Sequence, residues 1–168
     1  YTLSDELQTM KNATLQLKVM NFDGKVLNSK LVKGEVPANA SVVYCKENYE
    51  ALAKDPRNTF LLMTLKDAKG KVLSEEIYYF NYPKDQELPV AKVSYKVKQM
   101  DGKCEVTLST KQLARDIFIE IPVQGARFTD NFFDLLPGQT KKIVITSDKI
   151  KKNEPVQLKL RHLKGIIK

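Results

Sequence analysis

From Ala13 onward, apolar and polar positions alternate: Leu15, Leu17 and Val19 fall on one side of the chain, Thr14, Gln16 and Lys18 on the other. A period of two is the signature of a strand with one buried face. Asn21-Phe22-Asp23-Gly24-Lys25 interrupts it, and Asp-Gly between two such runs predicts a hairpin, because glycine accepts the positive φ of a tight turn. Val26 to Val32 reads as the return strand, Gly34 to Asn39 as a second turn, and Ser41-Val42-Val43-Tyr44 as a further strand. Glu47 to Lys54 departs from the pattern. It is rich in helix formers and is stopped by Asp55-Pro56, which predicts one or two helical turns. Thr59 to Leu65 and Val72 to Phe80 then predict two strands around the turn Asp67-Ala68-Lys69-Gly70. Short strands separated by turn signals, with Tyr1-Thr2-Leu3 as a further contributor, describe a β-sandwich.

Asn81 to Pro89 holds two prolines and several charges with no periodicity, the composition of an exposed connector. Beyond it the same grammar returns. Val93, Tyr95 and Val97 alternate, Asp101-Gly102 turns the chain, and Cys104, Val106 and Leu108 alternate back. Ile117 to Ile121, the residues around Pro137-Gly138, Ile143 to Ile145 and Val156 to Leu163 bring the second half to six or seven strands. The expected fold is therefore all-β: two antiparallel sandwich domains in tandem, over residues 1–84 and 89–168, with a linker at about 81–89 and one short helix in the first.

Composition agrees with a packed protein of this kind. At 168 residues, 42% hydrophobic and 29% charged, the chain suits two small domains and not wholesale disorder. Its longest apolar runs, such as Phe60 to Met63, fall far short of the ~20 residues of a membrane helix. The first residue is Tyr1 and no signal-peptide pattern follows, so the chain is expected to start at a cut edge of a longer parent.

The formal charge of +8 is unevenly spread. Residues 1–88 carry 12 basic and 12 acidic side chains; residues 89–168 carry 16 and 8. Most of these lysines, including Lys92, Lys96, Lys98 and Lys159, lie singly along strand-like segments. They read as solvated strand faces, and the absence of interleaved aromatics argues against a nucleic-acid partner.

Candidate chemistry is sparse. Nucleophile-and-base catalysis needs a histidine, and the one present, His162, lies in an alternating run near the end of the chain. One histidine with Cys45 and Cys104 in different halves cannot build a zinc site, and both cysteines read as free, partly buried thiols. No glycine-rich phosphate loop is present, and the sequence calls for no cofactor. Glycoside hydrolysis needs two carboxylates held ~5 to 9 Å apart. Glu75 and Glu76 are adjacent in a strand and so face opposite ways, while Asp130 and Asp134 lack a surrounding aromatic pocket in a chain without tryptophan.

The densest stretch is Gly125 to Gly138, with Arg127, Phe128, Asp130, Asn131, Phe132 and Phe133 as candidate interface or packing residues. Two readings stand. Phe128, Phe132 and Leu135 or Leu136 fill the core while Asp130-Asn131 form an Asx-type turn, or the segment docks on another surface.

The block Gly-x-Arg-Phe-x-Asp-Asn-x-Phe, here Gly125 to Phe133, followed by Asp134-Leu135-Leu136-Pro137-Gly138, resembles the last domain of β-mannosidases of glycoside hydrolase family two. Ser4-Asp5, Phe22 to Leu27, Gly70 to Glu75 and Tyr78-Tyr79-Phe80 resemble the domain that precedes it, so the resemblance covers essentially the whole chain. It implies two immunoglobulin-like accessory domains without catalytic residues. The parent would join them to a (β/α)₈ barrel that carries the catalytic glutamates and hydrolyses terminal β-mannosyl residues with retention. The partner implied is that barrel, and the compartment implied is periplasmic, extracellular or lysosomal. A carbohydrate-binding module using Tyr44, Tyr49, Tyr82 or the phenylalanine cluster, and a free-standing sandwich interaction protein, remain as alternatives, with glycan a possible partner and neither nucleic acid nor membrane expected.

Overall fold

The computed structural model describes residues 1–167, without the side chains of Tyr49, Glu50, Ile166 and Ile167. Two compact units emerge, one of Tyr1–Asn21 and Lys25–Glu87, the other running from Leu88 and taking in Phe22–Gly24. Among the described residues, no helix is long and apolar enough to cross a membrane.

The N-terminal unit contains β1 (Thr2–Ser4), β2 (Met10–Asn21), β3 (Val26–Val36), β4 (Ala40–Val42), the single turn α1 (Tyr49–Leu52), β5 (Thr59–Lys66) and β6 (Val72–Tyr79). They form an antiparallel sheet of order β3-β2-β5-β6 and a two-stranded sheet β1-β4. The alternation in β2 does its work here: Leu17 and Val19 are buried with Leu61, Ala53 and Phe80, and Leu15 and Met63 pack against them. β3 runs on through Gly34, where the sequence pattern suggests a turn. The missing side chain is the reason. A Cβ at Gly34 would sit 3.1 Å from the Tyr44 ring, which closes over the strand and donates its hydroxyl to the Ala13 carbonyl at 2.9 Å.

The C-terminal unit contains β7 (Val93–Met100), β8 (Lys103–Thr110), β9 (Ala114–Glu120), β10 (Arg127–Phe128), β11 (Phe133–Leu135), β12 (Thr140–Thr146), β13 (Lys159–His162) and β14 (Gly165–Ile167). Two antiparallel four-stranded sheets, β10-β12-β8-β7 and β11-β9-β13-β14, make the sandwich. Asp101-Gly102 is the two-residue turn between β7 and β8, with Met100 opposite Lys103 and Gly102 at φ +72. Val106, Leu108, Ile143 and Ile145 from one sheet meet Ile117, Ile119, Leu135 and Leu160 from the other, each at most 1% exposed. This core is more extensive than that of the N-terminal unit, and burial of the apolar faces is the main stabilising term. The sequence pattern anticipates one strand from Val156 to Leu163; the structure instead forms a β13–β14 hairpin closed at Leu163-Lys164.

Cys45 and Cys104 are free thiols. Cys104 is fully buried in the second core, and burial pushes its thiol pKa up.

A candidate interface on the C-terminal unit

The Gly125 to Phe133 block begins as β10, whose two residues pair with Thr146 and Ile145 of β12. Phe128 is half-buried against the core, whereas Arg127 is exposed on the outer side of the sheet. Pairing then passes to a side chain. The Thr129 N–H donates to the Val144 carbonyl at 2.9 Å, and the Val144 N–H donates to Thr129 Oγ1 at 3.0 Å.

Asp130 accepts the Asn131 N–H through Oδ1 at 2.8 Å and pairs through Oδ2 with Lys141 Nζ at 2.6 Å. The Lys141 ammonium also lies 4.1 Å from the centre of the Phe133 ring, a cation–π contact. Lys141 shares the inward parity of Ile143 and Ile145, which is the sequence signal that separates it from Lys142.

Asn131 performs the central structural task. Its Oδ1 accepts the Ile119 N–H at 2.8 Å and its Nδ2 donates to the Ile119 carbonyl at 2.9 Å, so the amide serves β9 as a one-residue neighbouring strand. The Phe132 N–H also donates to Asn131 Oδ1, at 3.2 Å. With the amide fixed, the chain turns at Phe132 with φ +59, an uncommon value for a bulky residue. That reversal directs Phe132 outward. It is 69% exposed and stacked on Phe118 with centroids 4.5 Å apart, which corrects the expectation of Phe132 as a core residue. Phe133, 7% exposed and opposite Ile117, takes the core position together with Leu135 and Leu136.

Asp134 Oδ1 accepts the Asp116 N–H at 2.8 Å, at an irregularity in β9 where Asp116 has φ +53. Arg115 lies 3.7 Å from Asp134 Oδ2. Beside the Phe118 ring, the Arg161 guanidinium stands 5.4 Å from the centroid and pairs with Glu120 at 3.1 Å. Sequence alone does not single out Phe118, Glu120 or Arg161, because their grouping depends on the pairing of β9 with β13.

The structure thus gathers Asp130, Asn131, Phe132 and Phe133 around β9 and sends Arg127 to the other sheet. Asp130 and Asp134 are committed to separate partners. Glu75 accepts the Thr64 hydroxyl at 3.3 Å, while Glu76 borders a pocket of about 470 Å³ in the N-terminal unit, over Leu15, Leu17 and Met63. His162 is buried, which lowers its pKa, and its Nδ1 accepts the Lys164 N–H at 3.3 Å within the β13–β14 turn. No group of three or more His, Cys, Asp or Glu side chains suited to a metal occurs among the described residues. Of the tyrosines considered as stacking platforms, Tyr44 is tied down over Gly34, Tyr82 is 76% exposed, and the side chain of Tyr49 lies outside the described residues. What the arrangement offers is packing and an exposed aromatic surface.

On the opposite sheet, Glu105 bridges two ammonium groups, Lys103 at 2.6 Å and Lys142 at 2.7 Å. Their hydrogen bonds hold its carboxyl down at about 2. A carboxylate whose pKa is lower folded than unfolded contributes stability that is full above its unfolded value and lost as pH falls toward its folded one. Glu105→Gln is therefore expected to lower the melting temperature modestly at neutral pH, with the two proteins converging between about pH 4.5 and pH 2. Thermal melts across that pH range check it; parallel curves would remove the role assigned to Glu105.

Comparison with known proteins follows the two-part division. Residues 1–85 match the mannosidase Ig/CBM-like domain, and residues 88–166 match an Ig-fold domain of mannosidases. The crystal structure of a β-D-mannosidase from Dictyoglomus thermophilum is similar at 25% identity and a TM-score of 0.73, over 99% of this chain and 20% of that one. An exo-chitosanase from Amycolatopsis orientalis shares the fold at 17% identity and a TM-score of 0.65, over 96% of this chain and 24% of that one. The chain thus spans about a fifth to a quarter of the length of these structures. No curated protein sequence matches it.

Proposed function

We propose, for a chain that belongs to the mannosidase Ig/CBM-like domain family, that it is the non-catalytic C-terminal part of a larger β-mannosidase and supports that enzyme's catalytic barrel. Two Ig-like domains related to those of family-two mannosidases account for the chain from end to end, and this carries the reading. The parent hydrolyses terminal β-mannosyl residues with retention, its two glutamates lying outside this chain. The candidate carboxylates here are tied into packing and sheet termination, which suits a supporting role. We place the domain boundary in the 81–89 segment and the barrel-facing surface at Phe118 and Phe132, with Asp130 and Asn131 shaping the loop that presents it. A solvent-exposed aromatic stack beside an arginine is the composition of an interface hot spot.

Removal of residues 89–168 from the parent enzyme is expected to lower its melting temperature and soluble yield and to reduce activity with them. Undiminished stability and turnover in the truncated enzyme would overturn the reading. The exposed Phe132 ring also favours a second reading, a carbohydrate-binding module that stacks a sugar there. Calorimetry of the chain against mannan oligosaccharides separates the two, since a pure support gives no heat.

A further inference from the structure

We propose that the outer face of sheet β10-β12-β8-β7 is a binding surface for an acidic polysaccharide, a polymer bearing uronate carboxylates. Register puts the necessary groups on one side. Lys98 stands opposite Glu105, Lys96 opposite Thr107 and through it Lys142, and Lys103 opposite Thr146, which faces Arg127. Directly paired residues project to the same face, and the alternate positions, Cys104, Val106, Leu108, Ile143 and Ile145, point into the core. The outer face therefore carries five cations and one carboxylate, within the half of the chain that holds 16 basic against 8 acidic residues.

That one carboxylate is already neutralised by Lys103 and Lys142. Lys96, Lys98 and Arg127 have no carboxylate partner among the described residues and stay exposed. Along β7 the two lysines stand roughly 7 Å apart, and neighbouring strands add steps of about 5 Å, so the charges form a flat grid. The grid continues past Ser94 and Ser109 into a groove of about 670 Å³ bordered by Lys92, Lys111 and Gln112.

The surroundings select the class of partner. A protein interface has a core enriched in aromatic residues and methionine and depleted in lysine. This face is built from lysines and the hydroxyls of Ser94, Thr107, Ser109, Thr140 and Thr146; it has no aromatic member, and its apolar members are Val144 and, at the end opposite Lys103, Met100. Such a face holds a partner that remains hydrated and charged along its length. Single-stranded nucleic acid is disfavoured because the face offers no aromatic ring on which bases stack. Carboxylates spaced along a sugar polymer meet the ammonium grid, while sugar hydroxyls meet the serine and threonine rows.

The test is titration of the chain with sodium polygalacturonate at about 50 mM and about 200 mM salt. The comparisons are neutral mannan, duplex DNA and the variant Lys96→Glu/Lys98→Glu/Arg127→Glu. Binding is expected at the lower salt, on the order of tenfold weaker at the higher salt, and weakened at least as much by the charge reversal. Circular dichroism and melting of the variant establish that it folds, and Lys96→Gln/Lys98→Gln is expected to lie in between. Absence of binding at low salt, equal affinity in the folded reversal variant, equal binding of neutral mannan, or tighter binding of DNA than of polygalacturonate would each overturn the proposal.

Discussion

Replacement of Asn131 by alanine is expected to destabilise the C-terminal unit by about 2–4 kcal/mol, because two backbone groups of the inward-facing Ile119 lose their partner together. An unmet buried donor or acceptor costs about 1–3 kcal/mol, more than the net gain from making the bond. The amide at 2.8 and 2.9 Å is the edge partner of β9 at Ile119, beyond the point where β11 pairs with Ile117. Asn131→Asp separates the two contacts. It keeps an acceptor for the Ile119 N–H, removes the donor to the carbonyl and places a charge there, so it is expected to be at least as damaging. Chemical denaturation followed by circular dichroism reads both variants. A loss under about 0.5 kcal/mol in Asn131→Ala would mean that water replaces the amide without penalty, and that the block matters only through its aromatics.

Ile143→Ala is expected to cost about 2–5 kcal/mol, for a different reason. Ile143 is fully buried opposite Val106 at the middle of β12, and truncation leaves a cavity between two sheets whose strands hold each other in place. Ile143→Val removes a single methylene and should cost about 0.5–1.5 kcal/mol. Thr140→Ala, at an exposed site on the same strand, should change stability by no more than about 0.5 kcal/mol. The gradation among the three is the measurement. Equal effects at 140 and 143 would contradict the inward and outward assignment of β12, and with it the placement of Lys142 on the outer face.

The all-β class and the two Ig-like domains were legible because strands write themselves locally: Leu17 with Val19, and Val106 with Leu108, alternate as their burial does. Turns were legible where a glycine is obligatory, as at Gly102. Gly34 misled because the same residue also serves where another ring comes close, and the Tyr44 ring comes from beyond β4. The aromatic block was conspicuous in sequence, yet its internal assignment was not. Whether Phe132 or Phe133 turns inward depends on the Asn131 amide engaging Ile119, twelve residues away, and no local periodicity encodes that contact. Nor could the grouping of Lys96 and Lys142 be read directly, since it follows from the register of three strands.

The same register has a consequence for self-association. β7 and β6 are edge strands, and an edge exposes unpaired N–H and C=O groups that can recruit the edge of another molecule. On β7 the exposed positions hold Lys96 and Lys98, on β6 Glu75 and Glu76, and on β3, the opposite edge of its sheet, Lys30 and Lys33. Another copy aligning β7 against β7 would bring lysines together, and β6 against β6 glutamates. The charges that give the C-terminal half its basic character also act as gatekeepers, keeping sheets that end in open edges from polymerising.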